Sequence, residues 1–507
     1  MTPTTGNLIE DLSAPSADRL DMPFLIVPGG TTLTYGAFWD RVGRTSAALS
    51  ASGAAPGERI VVQVDKSVNA VVLYAACLHA GAVHVPLNPA FTPDELDYFI
   101  NDADPALVVA RRDLVDGVAD RHGVHVLSQD ADGSGSLEDL ATTAIARPAE
   151  PRAGNDLAAL LYTSGTTGRP KGAALTHTNL RLNAWALHDA WRFDASDHLV
   201  HALPIFHVHG LFLALHCAML SAIPVTFLPR FDADAVVAAL RDATVFMGVP
   251  TQYNRLLASS DFDRLSCSSM RLFTAGSAPL PDSVFHEFTA RTGHVICERY
   301  GMSETLITTT NPYEGARLAG TVGFAVPGVE MRVVDDDGLT VGPETIGGLE
   351  VRGEQVMNKY WRRPDATAQC QRAGGWFVTG DIAALDEQGR LTLQGRTTDL
   401  IISGGENIYP KELELALDSV PGIVESAVVG IPHPDLGEAV TALIVVGEHA
   451  PDDSTITQSL GASISRFKHP KKVIRLAELP RNSMGKIEKK ALRELYSDLY
   501  SDPDCAD

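Results

Sequence analysis

The stretch RIVVQVDKSVNAVVLYAACLHAGAVHVP, Arg59 to Pro86, decides the fold class. Its first six residues, Arg59 to Val64, form an apolar β-branched run, which reads as a buried strand. Ser67 to Ala80 then changes to a long apolar run, which reads as a helix. Gly81 punctuates the join, and Ala82 to Pro86 returns to strand. A strand, a helix and a second strand within so few residues is a parallel crossover unit, and such units need helices on the faces of the sheet. Similar alternation continues to Val249, with Pro86, Pro204 and Gly248 at the joins.

Working outward, the texture changes past Glu330. MRVVDDDG, GGLEVRG and AALDEQGRLTLQG are short strand-like runs with turn residues between them, as in hairpins. A last segment begins near Asp399: a strand at Leu400 to Ser403, a helix from Pro410, strands at Ser426 to Ile431 and Val440 to Val446, and a lysine-rich tail around Phe467 to Lys490. The fold class predicted is α/β: a large N-terminal domain over residues 1–397, made of parallel sheets covered by helices with a β-rich subdomain at about 325–397. A small mobile α+β C-terminal domain over residues 398–507 follows.

Bulk properties agree. At 507 residues the chain exceeds what one core organises, and about two or three units are expected. Hydrophobic residues at 45% and charged ones at 21% describe an ordinary globular enzyme. A net charge of −22 repels nucleic-acid backbones and anionic lipid, so neither is expected as a partner. The six cysteines form no CxxC pair and no zinc-ligand cluster, which reads as reduced thiols. MTPTTGNLIEDL has no basic start followed by an apolar run, so the expected location is the cytoplasm. The most apolar stretch, Gly210 to Leu228, carries His216 and Pro224 and reads as a buried helix running into a strand, not a membrane span.

Chemistry concentrates in Tyr162-Thr-Ser-Gly-Thr-Thr-Gly-Arg-Pro-Lys171-Gly172, which follows the apolar strand LAALLY. Glycines let backbone N–H groups approach an anion, hydroxyls add donors and the lysine adds charge, so Thr163, Ser164, Gly165, Thr166, Thr167, Gly168 and Lys171 suit a polyphosphate. The spacing is not that of a Walker A loop.

This string resembles the phosphate-binding signature of the adenylate-forming superfamily, which contains acyl-CoA synthetases, peptide-synthetase adenylation domains and luciferases. Seven further motifs stand in the expected order: LPIFHVHG (Leu203 to Gly210), TAGSAP (Thr274 to Pro279), ERYGMSET (Glu298 to Thr305), TGD (Thr379 to Asp381), GR through Asp399, SGGENIYP (Ser403 to Pro410) and PRNSMGK (Pro480 to Lys486). Together they span nearly the whole chain.

The resemblance implies an ATP-dependent enzyme that activates a carboxylic acid as an acyl-adenylate and passes the acyl group to coenzyme A. Attack of a carboxylate on a phosphate joins two anions, so charge neutralisation and positioning must dominate catalysis. Lys486 is the implied catalytic cation, and Glu304 the implied Mg²⁺ ligand, a hard oxygen beside phosphates. Ser303 and Thr305 are implied hydroxyl partners of the phosphates. Asp381, helped by Arg396, would accept the ribose hydroxyls, while Gly276, Ser277, Tyr300 and Gly301 belong to the nucleotide-contacting set. His207 would line the acyl channel. Ser403, Gly404 and Gly405 resemble the loop that lines the path of coenzyme A once the C-terminal domain rotates. Thr398 stands where relatives commonly carry a charged hinge residue.

Arg299 bears on the acid. Glu-Arg-Tyr-Gly-Met, HALPIFHVHGLF and LNPAFTPDELDYFI resemble the malonyl-CoA/methylmalonyl-CoA synthetase group. A guanidinium grips a second carboxylate by paired hydrogen bonds, which selects a short dicarboxylate; the alternative is that Arg299 pairs with Glu298 or another acid as structure. Val208 and Ile307, both β-branched, are candidates to touch the α-carbon. Competing readings of the whole chain are an adenylating enzyme for another acid, or for a carrier-protein thiol or amine acceptor, and a catalytically silent nucleotide-binding protein.

Overall fold

A computed structural model describes residues 6–163, 170–404, 406–447, 449–482 and 485–500. The unit that opens the sequence argument folds as expected: strand Arg59–Gln63, helix Val68–His79 and strand Val83–Pro86. Ser67 caps the helix, its hydroxyl accepting from the Ala70 amide at 3.1 Å. The helix is buried nearly all round, which is why it shows no polar stripe.

Arg59–Gln63 and Val83–Pro86 are parallel neighbours in a seven-stranded sheet. A second sheet of nine strands runs parallel through its centre, from Cys297–Met302 across Leu272–Ala275, Val245–Gly248, Leu199–His201 and Val225–Phe227 to Pro23–Ile26. The nine-stranded sheet ends in antiparallel strands on both sides, and the seven-stranded sheet on one side only, its other edge strand, His125–Ser128, being parallel. The largest apolar core joins the two sheets through the helices Val68–His79 and Leu215–Ser221. Gly210 to Leu228 is indeed a buried helix running into a strand, but it opens with one π-helical segment, His209–Ala214. Gly210 is required there, because a Cβ would stand 2.1 Å from the Pro204 carbonyl oxygen.

The β-rich stretch forms an antiparallel sheet built on Glu330–Val334, Gly347–Arg352, Trp376–Leu385 and Leu391–Arg396. The C-terminal residues make a further sheet around the long hairpin Ile423–His433 and Gly437–Val446, with apolar clusters of their own. Among the described residues no helix is long and apolar enough to cross a membrane.

Candidate active site

The motif residues gather beyond the carboxyl ends of the parallel strands, where open α/β sheets place their ligands. Gly276 and Ser277 follow Leu272–Ala275, and the loop that begins at His201 leads to His207 and His209.

On one side stands Asp381, 5% exposed and the register partner of Arg396. Arg396 Nε lies 2.8 Å from its Oδ1, and the Tyr300 hydroxyl donates to Oδ2. Burial raises the carboxyl's pKa, while Arg396 and Tyr300 pull it back. Glu304, also buried, accepts from the Tyr360 hydroxyl at 2.8 Å and from Thr163 Oγ1 at 3.4 Å. Lys171 Nζ lies 5.3 Å from the centre of the Tyr360 ring. Thr163 and Lys171 are cross-strand partners. They bracket Ser164, Gly165, Thr166, Thr167 and Gly168, which fall outside the described residues, as does Gly405.

Among the described residues no group of three or more His, Cys, Asp or Glu side chains could hold a metal ion by itself. A single buried carboxylate beside a polyphosphate loop still fits Mg²⁺, which takes one or two protein carboxylates and completes its shell with phosphate and water oxygens. Thr305 differs from expectation: its hydroxyl meets Thr308 Oγ1 at 2.9 Å in the core. Ser303 is half-buried beside it. Gly301 sits at a register shift, where a Cβ would press to 1.9 Å on the Leu306 carbonyl oxygen.

On the other side Arg299 is 4% exposed on the strand Cys297–Met302. Neighbouring residues of a strand point to opposite faces, and Glu298 turns away from it toward Asp282 and the Leu280 amide. Among the described residues Arg299 forms no ion pair, with Glu298 or with another acid. Arg299 instead reaches Ser277 Oγ at 3.5 Å, and that oxygen lies 3.5 Å from His209 Nδ1. Both contacts are at the outer limit for hydrogen bonds. Two polar atoms have no partner among the described residues, Arg299 Nε and His209 Nε2. Burial lowers the Arg299 pKa to about 9 and holds His209 neutral, aided by the Arg299 charge. Gly276 makes the room, since a Cβ there would lie 2.6 Å from Arg299 Cζ. Ser277 adopts φ 71°, a left-handed conformation rare outside glycine and frequent at functional sites.

Lys486 arrives from the C-terminal residues on a closed loop. The Asn482 amide donates to the Lys486 carbonyl at 2.9 Å, the Lys486 amide to Asn482 Oδ1 at 3.1 Å, and Gly485 turns the chain at φ 75°. The residue as a whole is exposed, yet desolvation is the largest influence lowering its pKa. Arg396 and Arg299 lower it further, while Asp381 and Glu304 raise it. One ammonium therefore feels both sides of the site. His207 is neutral beside it, its pKa pushed down to about 3 by burial and by Lys486.

Val208 is half-buried against the main core; Ile307 is 2% exposed within that core, its carbonyl accepting from Asn183 and Gln355. Ser403 and Gly404 form the turn side of a C-terminal hairpin, with the Gly404 amide bonded to the Leu436 carbonyl at 2.9 Å. Thr398 is exposed in the single turn Thr397–Asp399. That turn is tied on one side by Thr397 Oγ1 to the Gly380 carbonyl at 3.1 Å, and on the other by Asp399 to Arg493. Tyr360 had no chemical signal in the sequence: an aromatic in Lys-Tyr-Trp reads as packing until its hydroxyl is seen on Glu304.

Residues 14–361 match the AMP-binding enzyme family and residues 412–486 its C-terminal domain. The chain belongs to that family of adenylate-forming enzymes. It is an AMP-forming acyl-CoA synthetase, an ATP-dependent acid–CoA ligase. It is 36% identical over 481 residues to the indoleacetate–CoA ligase of Aromatoleum aromaticum, a match covering 92% of this chain and 93% of that one. To a mitochondrial malonate–CoA ligase of Mus musculus it is 34% identical over 481 residues, covering 87% and 82%. Among solved structures, the ATP-bound MatB from Rhodopseudomonas palustris shares 45% identity over 98% of this chain and 100% of that one, with a TM-score of 0.95.

Proposed function

We propose that the acid is a short dicarboxylate, malonate or methylmalonate, and that the product is its coenzyme A thioester. The observation that carries this reading is Arg299: a buried guanidinium with no carboxylate partner among the described residues, flanked by the unpartnered Nε2 of His209. An unpaired buried charge is costly, and an incoming carboxylate offsets the cost by accepting from it. A monocarboxylate would leave it unmatched. The likeness to relatives named malonate–CoA ligase supports the same choice.

In the first step an oxygen of the other carboxylate attacks the α-phosphorus of ATP and pyrophosphate leaves. Lys486, close to the charges of both sides, offsets the repulsion between the two anions. Asp381 and Arg396 receive the ribose, with Tyr300 fixing the carboxylate. Glu304, steadied by Tyr360, would hold Mg²⁺, which when bound neutralises phosphate charge. In the second step the coenzyme A sulfur attacks the acyl carbonyl and AMP leaves. Ser403 and Gly404 come to that path by rotation of the residues beyond Thr398, where the tied turn is the pivot.

Mass spectrometry of thioesters formed with ATP, Mg²⁺ and coenzyme A from malonate, methylmalonate, acetate, butyrate and indoleacetate tests the reading. Malonyl or methylmalonyl thioester is expected to dominate; a thioester from indoleacetate alone would overturn it.

A further inference from the structure

We propose that His201 and Lys66 are positioning residues for the acid side of the site, fixing the start of the π-helical segment and so the His209 imidazole opposite Arg299. This rests on the reading that the acid binds between His209 and Arg299, whichever acid it is.

The loop from His201 to Gly210 is closed by the side chain of the residue that starts it. His201 Nε2 lies 2.8 Å from the Gly210 carbonyl oxygen. A carbonyl can only accept, so the proton is on Nε2, and Nδ1 is left buried without a partner among the described residues. Gly210 follows His209 directly, and a Cβ on it would stand 2.1 Å from the Pro204 carbonyl oxygen. A π-helical segment bonds i→i+5 in place of i→i+4 and is frequent at functional sites, and here the side chain of His201 holds the carbonyl of its second residue.

His201 is itself fixed from outside the loop. It is 1% exposed, and its ring stacks on Phe227 at 5.2 Å and 26°. Its carbonyl accepts from the Leu228 amide at 3.0 Å and from Lys66 Nζ at 3.1 Å. The same ammonium donates to the Leu228 carbonyl at 2.6 Å and stands 4.5 Å from the Phe227 ring centre. Lys66 follows the strand Arg59–Gln63 of the seven-stranded sheet, whereas His201 and Phe227 end parallel strands of the other. It thus clamps the ends of two strands across the sheet-to-sheet seam, using carbonyls and a ring face. Burial, and less strongly Lys66, lower the His201 pKa and favour the neutral form whose proton is committed to Gly210, while burial lowers the Lys66 pKa itself.

The test exploits the two nitrogens of histidine. Glutamine places its amide nitrogen near the position of Nε2, and asparagine near that of Nδ1. His201→Gln is expected to keep KM for the acid within about twofold of the parent. His201→Asn should raise it about tenfold, with KM for ATP nearly unchanged. Lys66→Met should move the acid KM in the same direction as His201→Asn. All are measured by ATP–pyrophosphate exchange with whichever acid the parent accepts, so a wrong choice of acid does not decide the outcome. Equal behaviour of the Gln and Asn variants, or a parallel rise in KM for acid and ATP, would overturn the proposal. If His201→Asn does not fold, Lys66→Met alone decides by the same comparison of acid with ATP. Loss of folding in both variants would show the pair to be structural and overturn it too.

Discussion

On the proposed nucleotide side, Asp381 already has Arg396 at 2.8 Å and Tyr300, and Glu304 has Tyr360 at 2.8 Å. On the proposed acid side, Arg299 has among the described residues one hydrogen-bond contact, at 3.5 Å, and leaves Nε open. Both regions bury charge, but only the first satisfies it internally. A self-satisfied set costs little to maintain and gains modestly from a ligand, which suits a co-substrate common to many reactions. An unsatisfied set is costly without ligand, and so discriminates strongly between acids that complete it and acids that do not. Lys486, supplied by the C-terminal residues, is influenced by both.

Removing that shared cation should have the largest effect. Lys486→Ala is expected to slow adenylate formation by about 10²- to 10³-fold. Thioester formation from preformed acyl-adenylate should fall much less. Pyrophosphate exchange and single-turnover transfer report the two steps separately, and equal losses in both would break the link between Lys486 and the first step.

Arg299→Ala addresses the acid side alone. Its loss should lower kcat/KM for malonate or methylmalonate roughly ten- to more than a hundredfold, with butyrate losing little. Steady-state kinetics on both acids checks this. An equal drop would mean that Arg299 is structural and that the two sides do not differ as drawn.

The strands and helices of the main sheets were legible because burial writes itself into sequence as apolar runs with breakers between them, as from Arg59 to Pro86. Lys171, Glu304, Asp381 and Lys486 were legible through their motifs, and the structure brings Lys486 into electrostatic reach of Glu304 and Asp381. Three features were not. At the π-helical opening the Gly210 carbonyl is held by His201, a tether that no local pattern encodes. Tyr360 acts through its hydroxyl on a carboxylate 56 residues away in sequence, and a tyrosine beside a tryptophan reads as packing. The motif implies Thr305 as a hydroxyl partner of the phosphates, whereas its hydroxyl lies 2.9 Å from that of Thr308 in the core, beside the left-handed Leu306.

Tyr360→Phe sharpens the nucleotide side with a smaller change. The substitution removes one hydrogen bond to Glu304 and keeps the ring beside Lys171. Loss of one such bond should raise the Mg²⁺ concentration for half-maximal adenylation by about 2- to 10-fold, with KM for the acid unchanged. A magnesium titration of pyrophosphate exchange measures it. An unaltered curve would assign Tyr360 to packing.

The smallest effect separates two neighbours on one strand. Arg299 faces the acid side, and Glu298 faces away, 6% exposed, with Oε1 unpartnered among the described residues. Burial, then the Asp282 carboxylate, push the Glu298 pKa up to about 8, against a weaker opposing pull from Lys411. The folded state therefore holds this proton more tightly than the unfolded chain, whose carboxyl titrates near the usual value of about 4.3. Its stabilising contribution is complete below that value and is lost as pH rises through about 8. Glu298→Gln replaces the protonated carboxyl with a neutral group of the same shape, so it should match the parent in Tm near pH 5. Above pH 8 it should melt about 1–3 °C higher. Thermal scans from pH 5 to 9 would show the gap open with rising pH, and a constant gap would mean that Glu298 is ionised throughout. The same variant should leave kcat/KM for malonate at neutral pH unchanged. If acid selectivity moved with it, the two faces of the strand would be coupled, and the open donors of Arg299 could not be credited to the absence of a partner.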